Sequence, residues 1–132
     1  MTSAISELVR VLKKVERHQR WAERLPPNYI VKVAGEYTIA GGLITLNGYD
    51  QIRVLLVDTE SDAATDDLDK IDGGVYGDII ICRAADDARS VVFKDAVENL
   101  RLAGDFTLDS VSDTITLVYI GTNWHEMSRS DN

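Results

Sequence analysis

From residue 29 onward the chain is a succession of short apolar runs cut by glycine and aspartate turns, and this rhythm limits the fold more than any other feature. Turn signals stand at Gly41-Gly42, Asn47-Gly48, Gly73-Gly74, Gly104-Asp105 and Gly121. Between them lie candidate strands at 29–33, 36–39, 43–46, 52–57, 78–83, 90–94, 99–102, 106–108, 114–120 and 124–127. Many short strands with this punctuation predict a mainly β domain, a small β-sandwich or jelly roll. In Thr114–Tyr119, strict alternation puts Ile115, Leu117 and Tyr119 on one face. Val54–Val57 and Ile79–Cys82 are instead apolar without a break, which requires burial on both faces. A domain this small has few places for that, so a subunit interface through Val54, Val57, Ile79 and Ile81 is expected.

Residues 1–25 follow a different period. Ile5, Leu8, Leu12 and Val15 fall alternately three and four apart, with Ala22 in phase and Gln19 at a seam position. This is the spacing of an amphipathic α-helix or short coiled coil, stopped by Pro26-Pro27. Arg10, Lys13, Lys14, Arg17, Arg20 and Arg24 lie off the seam, as does Trp21. Six basic against three acidic residues leave this segment at +3, and therefore −11 on the rest of a chain whose net charge is −8. A basic helix ahead of an acidic domain reads as an anchor for an acidic surface, either a partner's or its own domain's. The expected organisation is a helix over 1–25, a linker and first strand over 26–35, and a β-rich domain over 36–132.

Composition narrows the partners. An acidic chain without a clustered basic face on its main domain is a poor ligand for nucleic acid. No apolar run approaches the ~18 residues that span a bilayer, and the N-terminus lacks a signal-peptide core, so no membrane partner and a cytoplasmic site of synthesis are expected. One cysteine excludes an internal disulfide.

The residues that carry chemistry elsewhere do not combine here. Asp58–Asp72 alternates oxygens as a calcium loop would, but Ala63 replaces the turn glycine and no glutamate closes the loop. It reads as a solvated loop with a capped helical turn at 65–68, and any metal would need symmetry-related carboxylates. Cys82 sits in an apolar strand and behaves as a small hydrophobe, with only His18 and His125 as candidate bases. Phosphate loops, serine elbows and dinucleotide fingerprints are missing, so neither catalytic residues nor cofactor are expected. Trp124 with Glu126 suggests either one wall of a sugar groove or a plug closing the last hairpin, and the plug is the simpler reading. Trp124 also joins the candidate trimer contacts.

Three segments carry a resemblance: Ile71-Asp72-Gly73-Gly74-Val75-Tyr76-Gly77-Asp78-Ile79-Ile80, then Asn99-Leu100-Arg101-Leu102-Ala103-Gly104-Asp105-Phe106-Thr107-Leu108, then the closing stretch from Asp113 to Ser130. Together, over about residues 36–132, they resemble the β-rich C-terminal tip domain of tailed-phage virion proteins, such as tail fibres, spikes and capsid appendages. The resemblance implies a homotrimer with the strands of three chains around an axis. In so short a chain it points to a capsid decoration (cement) protein, assembled in the host cytoplasm and carried on the virion. Its partners would be its own copies and the major capsid protein or another virion protein. Arg10, Lys14, Arg17, Trp21 and Arg24 would dock on the shell, and Ile5, Leu8, Leu12 and Val15 would pack the helices. The alternative is a tail-fibre or tail-tip module that binds host surface glycan.

Overall fold

The computed structural model describes residues 31–47 and 52–132, with side chains described from Gly35 onward. The helix expected over 1–25, with its seam and docking residues, lies outside the described residues.

The described chain is mainly β, as expected, but its connectivity is not that of a jelly roll. Eleven strands form: β1 (Val31–Thr38), β2 (Leu43–Thr45), β3 (Ile52–Asp58), β4 (Thr65–Leu68), β5 (Lys70–Asp72), β6 (Ile79–Ala84), β7 (Ser90–Phe93), β8 (Leu100–Arg101), β9 (Phe106–Leu108), β10 (Thr114–Tyr119) and β11 (Trp124–Ser130). β1, β3 and β6 pair in parallel, as do β2 with β5 and β4 with β7. Ile52 lies beside Ile79 and Leu43 beside Lys70, each 27 residues on, while Thr65 lies beside Ser90, 25 residues on. Parallel pairing at a nearly constant offset means the chain winds in coils, each stacking on the last. The domain is a short β-solenoid with three walls. A sandwich or jelly roll is built from antiparallel pairs, so that expectation is corrected: turn spacing reports strand length but not strand direction.

The last third of the chain closes the stack. β9 runs back along β7, β10 along β6, and β11 pairs antiparallel with β10 and parallel with β8. One wall is thus a six-stranded sheet in the order β1-β3-β6-β10-β11-β8, and another is β4-β7-β9. The third is β2-β5, continued by a side chain: Asn99 Nδ2 donates to the Ile71 carbonyl at 2.7 Å, and its Oδ1 accepts from Ile71 N at 3.0 Å. The Asn99 amide stands in for the next strand's backbone, satisfying both polar groups of Ile71.

Inside the coils, side chains stack in ladders. Leu55, Cys82 and Ile115 form one rung of the large wall, and Leu68, Phe93 and Phe106 one of the second wall, all of them buried. Trp124 fills the last coil with no exposed surface, donating from Nε1 to the Ile71 carbonyl at 3.1 Å and meeting the Tyr119 ring at 5.0 Å. Gly74 makes room for both rings, since a Cβ there would lie 2.8 Å from each. This is the plug reading of Trp124.

Two strands were not foreseen. β4 (Thr65–Leu68) forms where a capped helical turn was expected, and β5 follows it closely. Asp66 and Asp67 are poor strand formers, but Leu68 and Ile71 point into the core and are fully buried, so stacking overrides local propensity. At the other end, β1 is one strand with an irregularity between Val33 and Gly35, and it merges two of the expected ones.

Candidate functional site

Strand alternation sorts the large wall into two faces. On β3 the side chains of Arg53, Leu55 and Val57 are buried inward, leaving Ile52, Val54 and Leu56 half-buried on the outside. On β6, Ile80, Cys82 and Ala84 point in, while Ile79, Ile81 and Arg83 point out. On β10, Ile115 and Leu117 point in and Thr116 and Val118 out. Register brings the outward set together, with Ile52 beside Ile79 and Ile79 beside Val118, Val54 beside Ile81 and Ile81 beside Thr116, and Leu56 beside Arg83. Six aliphatic side chains therefore form one continuous surface. Just past the end of β10 lies Ile120, 43% exposed. Next to it Tyr76, 73% exposed, lies over Gly121.

On β3, β6 and β10 this surface lacks negative charge, while β1, in the same wall, sets the exposed Glu36 beside Leu56. The outward residues of β3 from Ile52 to Leu56, and those of β6 and β10, include Arg83 but no carboxylate. Asp58, at the end of β3, is held by Arg89 through bonds of 2.6 and 3.1 Å. That guanidinium keeps the Asp58 carboxyl below its usual range against the opposing effect of burial. The second wall is different, with Asp67 exposed on β4 and Lys94, at its margin, paired to Asp105 at 2.8 Å.

The expected interface residues divide accordingly. Val54, Ile79 and Ile81 lie on the outer face. Val57 and Trp124 are fully buried in the core of a single chain and have no surface to offer a neighbour, so they are removed from the interface. Ile52, Leu56 and Val118 belong to the face and were not singled out. Period-two alternation was the signal that finds Ile52 and Leu56, since in an unbroken apolar run only every second residue faces out. Val118 needed the register of β10 on β6.

Other polar groups serve the fold. Buried Arg53 donates to the Asn47 carbonyl at 2.7 Å and lies 3.4 Å from Asp78, whose carboxylate also accepts from Val75 N. Glu126 pairs with Arg129 at 2.7 Å and accepts from Ala103 N, and the same guanidinium covers the Phe106 ring at 4.7 Å. Arg129 thereby lowers the Glu126 pKa. Within Asp58–Asp72, Asp66 accepts from the N–H groups of Glu60 and Asp67, and Glu60 from that of Gly41. These acids act as turn caps. Among the described residues the carboxylates that do converge are Asp109, Asp113 and Asp131. The buried Asp113 there accepts from the N–H groups of Asn132 and Asp109. Burial pushes the Cys82 thiol far up, which keeps it protonated and unreactive.

The class the described residues define is therefore a short three-walled β-solenoid with an aliphatic outer patch on β3, β6 and β10. No protein-family model matches the chain, and no curated protein matches it.

Proposed function

We propose that this protein is a structural virion component: a homotrimeric capsid decoration protein whose large sheets pack around the trimer axis and whose basic N-terminal segments grip the head shell. The observation that carries this reading is the apolar outer face of β3, β6 and β10. Soluble monomers seldom leave a continuous aliphatic surface open, and such a surface favours association. The occupant is argued from charge. Two copies at net −8 repel wherever carboxylates face each other, and β3, β6 and β10 bring none to this face, whose nearest carboxylate is Glu36 on β1, beside Leu56. Like chains can therefore meet across β3, β6 and β10 at low electrostatic cost. Three copies also give three basic segments, and multivalency turns weak individual contacts into stable attachment.

Light scattering on the purified chain tests the trimer, and a mass of one chain ends the reading. Shell attachment is tested with Arg17→Glu combined with Arg24→Glu. The variant should keep the wild-type mass and lose occupancy on purified shells by at least roughly tenfold, as expected for charge reversal at a docking surface. Unchanged occupancy refutes the anchor.

One observation favours the second reading, a glycan-binding tail tip. Tyr76 is a strongly exposed aromatic beside the Thr122–Asn123 turn, the kind of ring on which a sugar stacks. A glycan array without hits ends that reading.

A further inference from the structure

The large wall carries opposite charges on one rung. Register sets Glu36 on β1 beside Leu56 on β3, and Leu56 beside Arg83 on β6. All of them point outward, because the residues that follow them, Tyr37, Val57 and Ala84, turn to the core. At roughly 4.8 Å per strand, Glu36 and Arg83 stand about 9.6 Å apart with Leu56 between them. Glu36 is exposed, and the Arg83 guanidinium reaches the other way, donating from Nη1 to the Val111 carbonyl at 3.4 Å. Neither has an ion-pair partner among the described residues, whereas Asp58, at the end of β3, is held by Arg89. The other outward rungs of β3 and β6 are aliphatic, Val54 beside Ile81 and Ile52 beside Ile79.

We infer that the threefold axis of the proposed trimer runs along β3, and that Arg83 of each copy pairs with Glu36 of the next. This pairing rests on the trimer reading and fixes its axis. Identical copies around an axis present the β6 flank of one to the β1 flank of its neighbour, a heterologous contact that closes as a ring. Every such contact can pair its charges only if the two flanks carry opposite signs at one height, and Glu36 and Arg83 do. Leu56, between them, then meets its symmetry copies at the axis, with Val54 and Ile52 in the layers beside it. Ion pairs at the margin of an apolar interface set orientation and register more than affinity. A copy slid by one rung along the axis would leave both charges without a partner against desolvated aliphatic surface, which is costly. The charged rung therefore decides the height at which the copies meet, and the aliphatic rungs supply the attraction.

The test uses the full chain with Glu36→Cys combined with Arg83→Cys, oxidised at micromolar concentration and run on a non-reducing denaturing gel. Within one chain these positions are too distant for a disulfide, which needs Cα atoms within about 7 Å. The native Cys82 is buried with its thiol held protonated, so it adds no link. The expected products contain two and three chains, and neither single variant gives any. Products that stop at two chains, or links through position 36 or position 83 alone, mean a different packing and overturn the inference. In parallel, Glu36→Arg and Arg83→Glu should each raise the concentration at which the assembly dissociates by at least roughly tenfold, and the two combined should restore it. Single variants that hold together as the wild type does, or a double variant that does not recover, also overturn it. A one-chain mass for the wild type in light scattering ends the trimer reading and this pairing with it. A three-chain mass without any disulfide product refutes the pairing alone.

Discussion

Replacing Ile81 with aspartate places one carboxylate at the centre of the outer face, between Val54 on β3 and Thr116 on β10. In a single chain the substitution is mild. Ile81 points outward and is only half-buried, so the new carboxylate reaches water, and the loss of strand propensity costs at most about 1 kcal/mol. In a trimer the same position is enclosed. If each of the six aliphatic side chains retains ~40 Å² to lose at the interface, the face contributes about 6 kcal/mol per copy at ~25 cal/mol per Å². Ile81→Asp forfeits about 1 kcal/mol of this and adds the desolvation of an unpaired carboxylate, several kcal/mol, for a total of roughly 3–5 kcal/mol per copy. Summed over three copies that is on the order of 10 kcal/mol, or roughly seven powers of ten in the association constant. Sedimentation or light scattering at micromolar concentration should therefore find one chain, with a far-UV spectrum like that of the wild type. Thr107→Asp, on the exposed side of β9 in the second wall, is the control and should leave the mass unchanged. A trimer that survives Ile81→Asp refutes the assignment of the face.

Two further outcomes test how the coils are held together. Asn99→Ala removes both bonds to Ile71 and leaves its backbone groups without that partner, which should destabilise the chain by about 2–3 kcal/mol in urea unfolding at fixed protein concentration. No change would mean the side-chain amide does not stand in for a strand. Arg89→Met should expose the pH dependence of Asp58. The folded-state pKa of Asp58 lies below its unfolded value, chiefly through the hydrogen bond from Arg89. Its contribution is therefore complete above the unfolded pKa, near 3.9, and drains away as pH falls through the folded value. The stability gap between wild type and Arg89→Met should be largest above about pH 5 and close as the solution is acidified. A gap equally wide at pH 3 would assign the effect of Arg89 to packing.

Much of the fold was legible because local pattern dictates it. Alternation and glycine turns placed β3, β6, β7, β9, β10 and β11 within a residue or a few of their observed ends, and the closing hairpin needed only Gly121 and its flanking strands. The unbroken apolar runs of β3 and β6 predicted burial on both faces, and within the single chain one face is buried while the other is only half-buried. What the sequence could not convey was partnership between distant segments. Whether neighbouring strands run parallel or antiparallel depends on how the chain returns, and the 27-residue offset of the coils carries no repeated motif to betray it. β4 exists because Leu68 stacks on Phe93, a contact between residues 25 apart that outweighs two aspartates unsuited to strands. The same distance hid Asn99, whose amide becomes structural only once Ile71 lies beside it. It also hid the outer face, whose side chains come from three strands and meet only in register. Composition and period thus determined the class, the strands and the aliphatic character of the walls. Only tertiary structure decided which side of each strand is core and which is open, since that depends on the coil it stacks against.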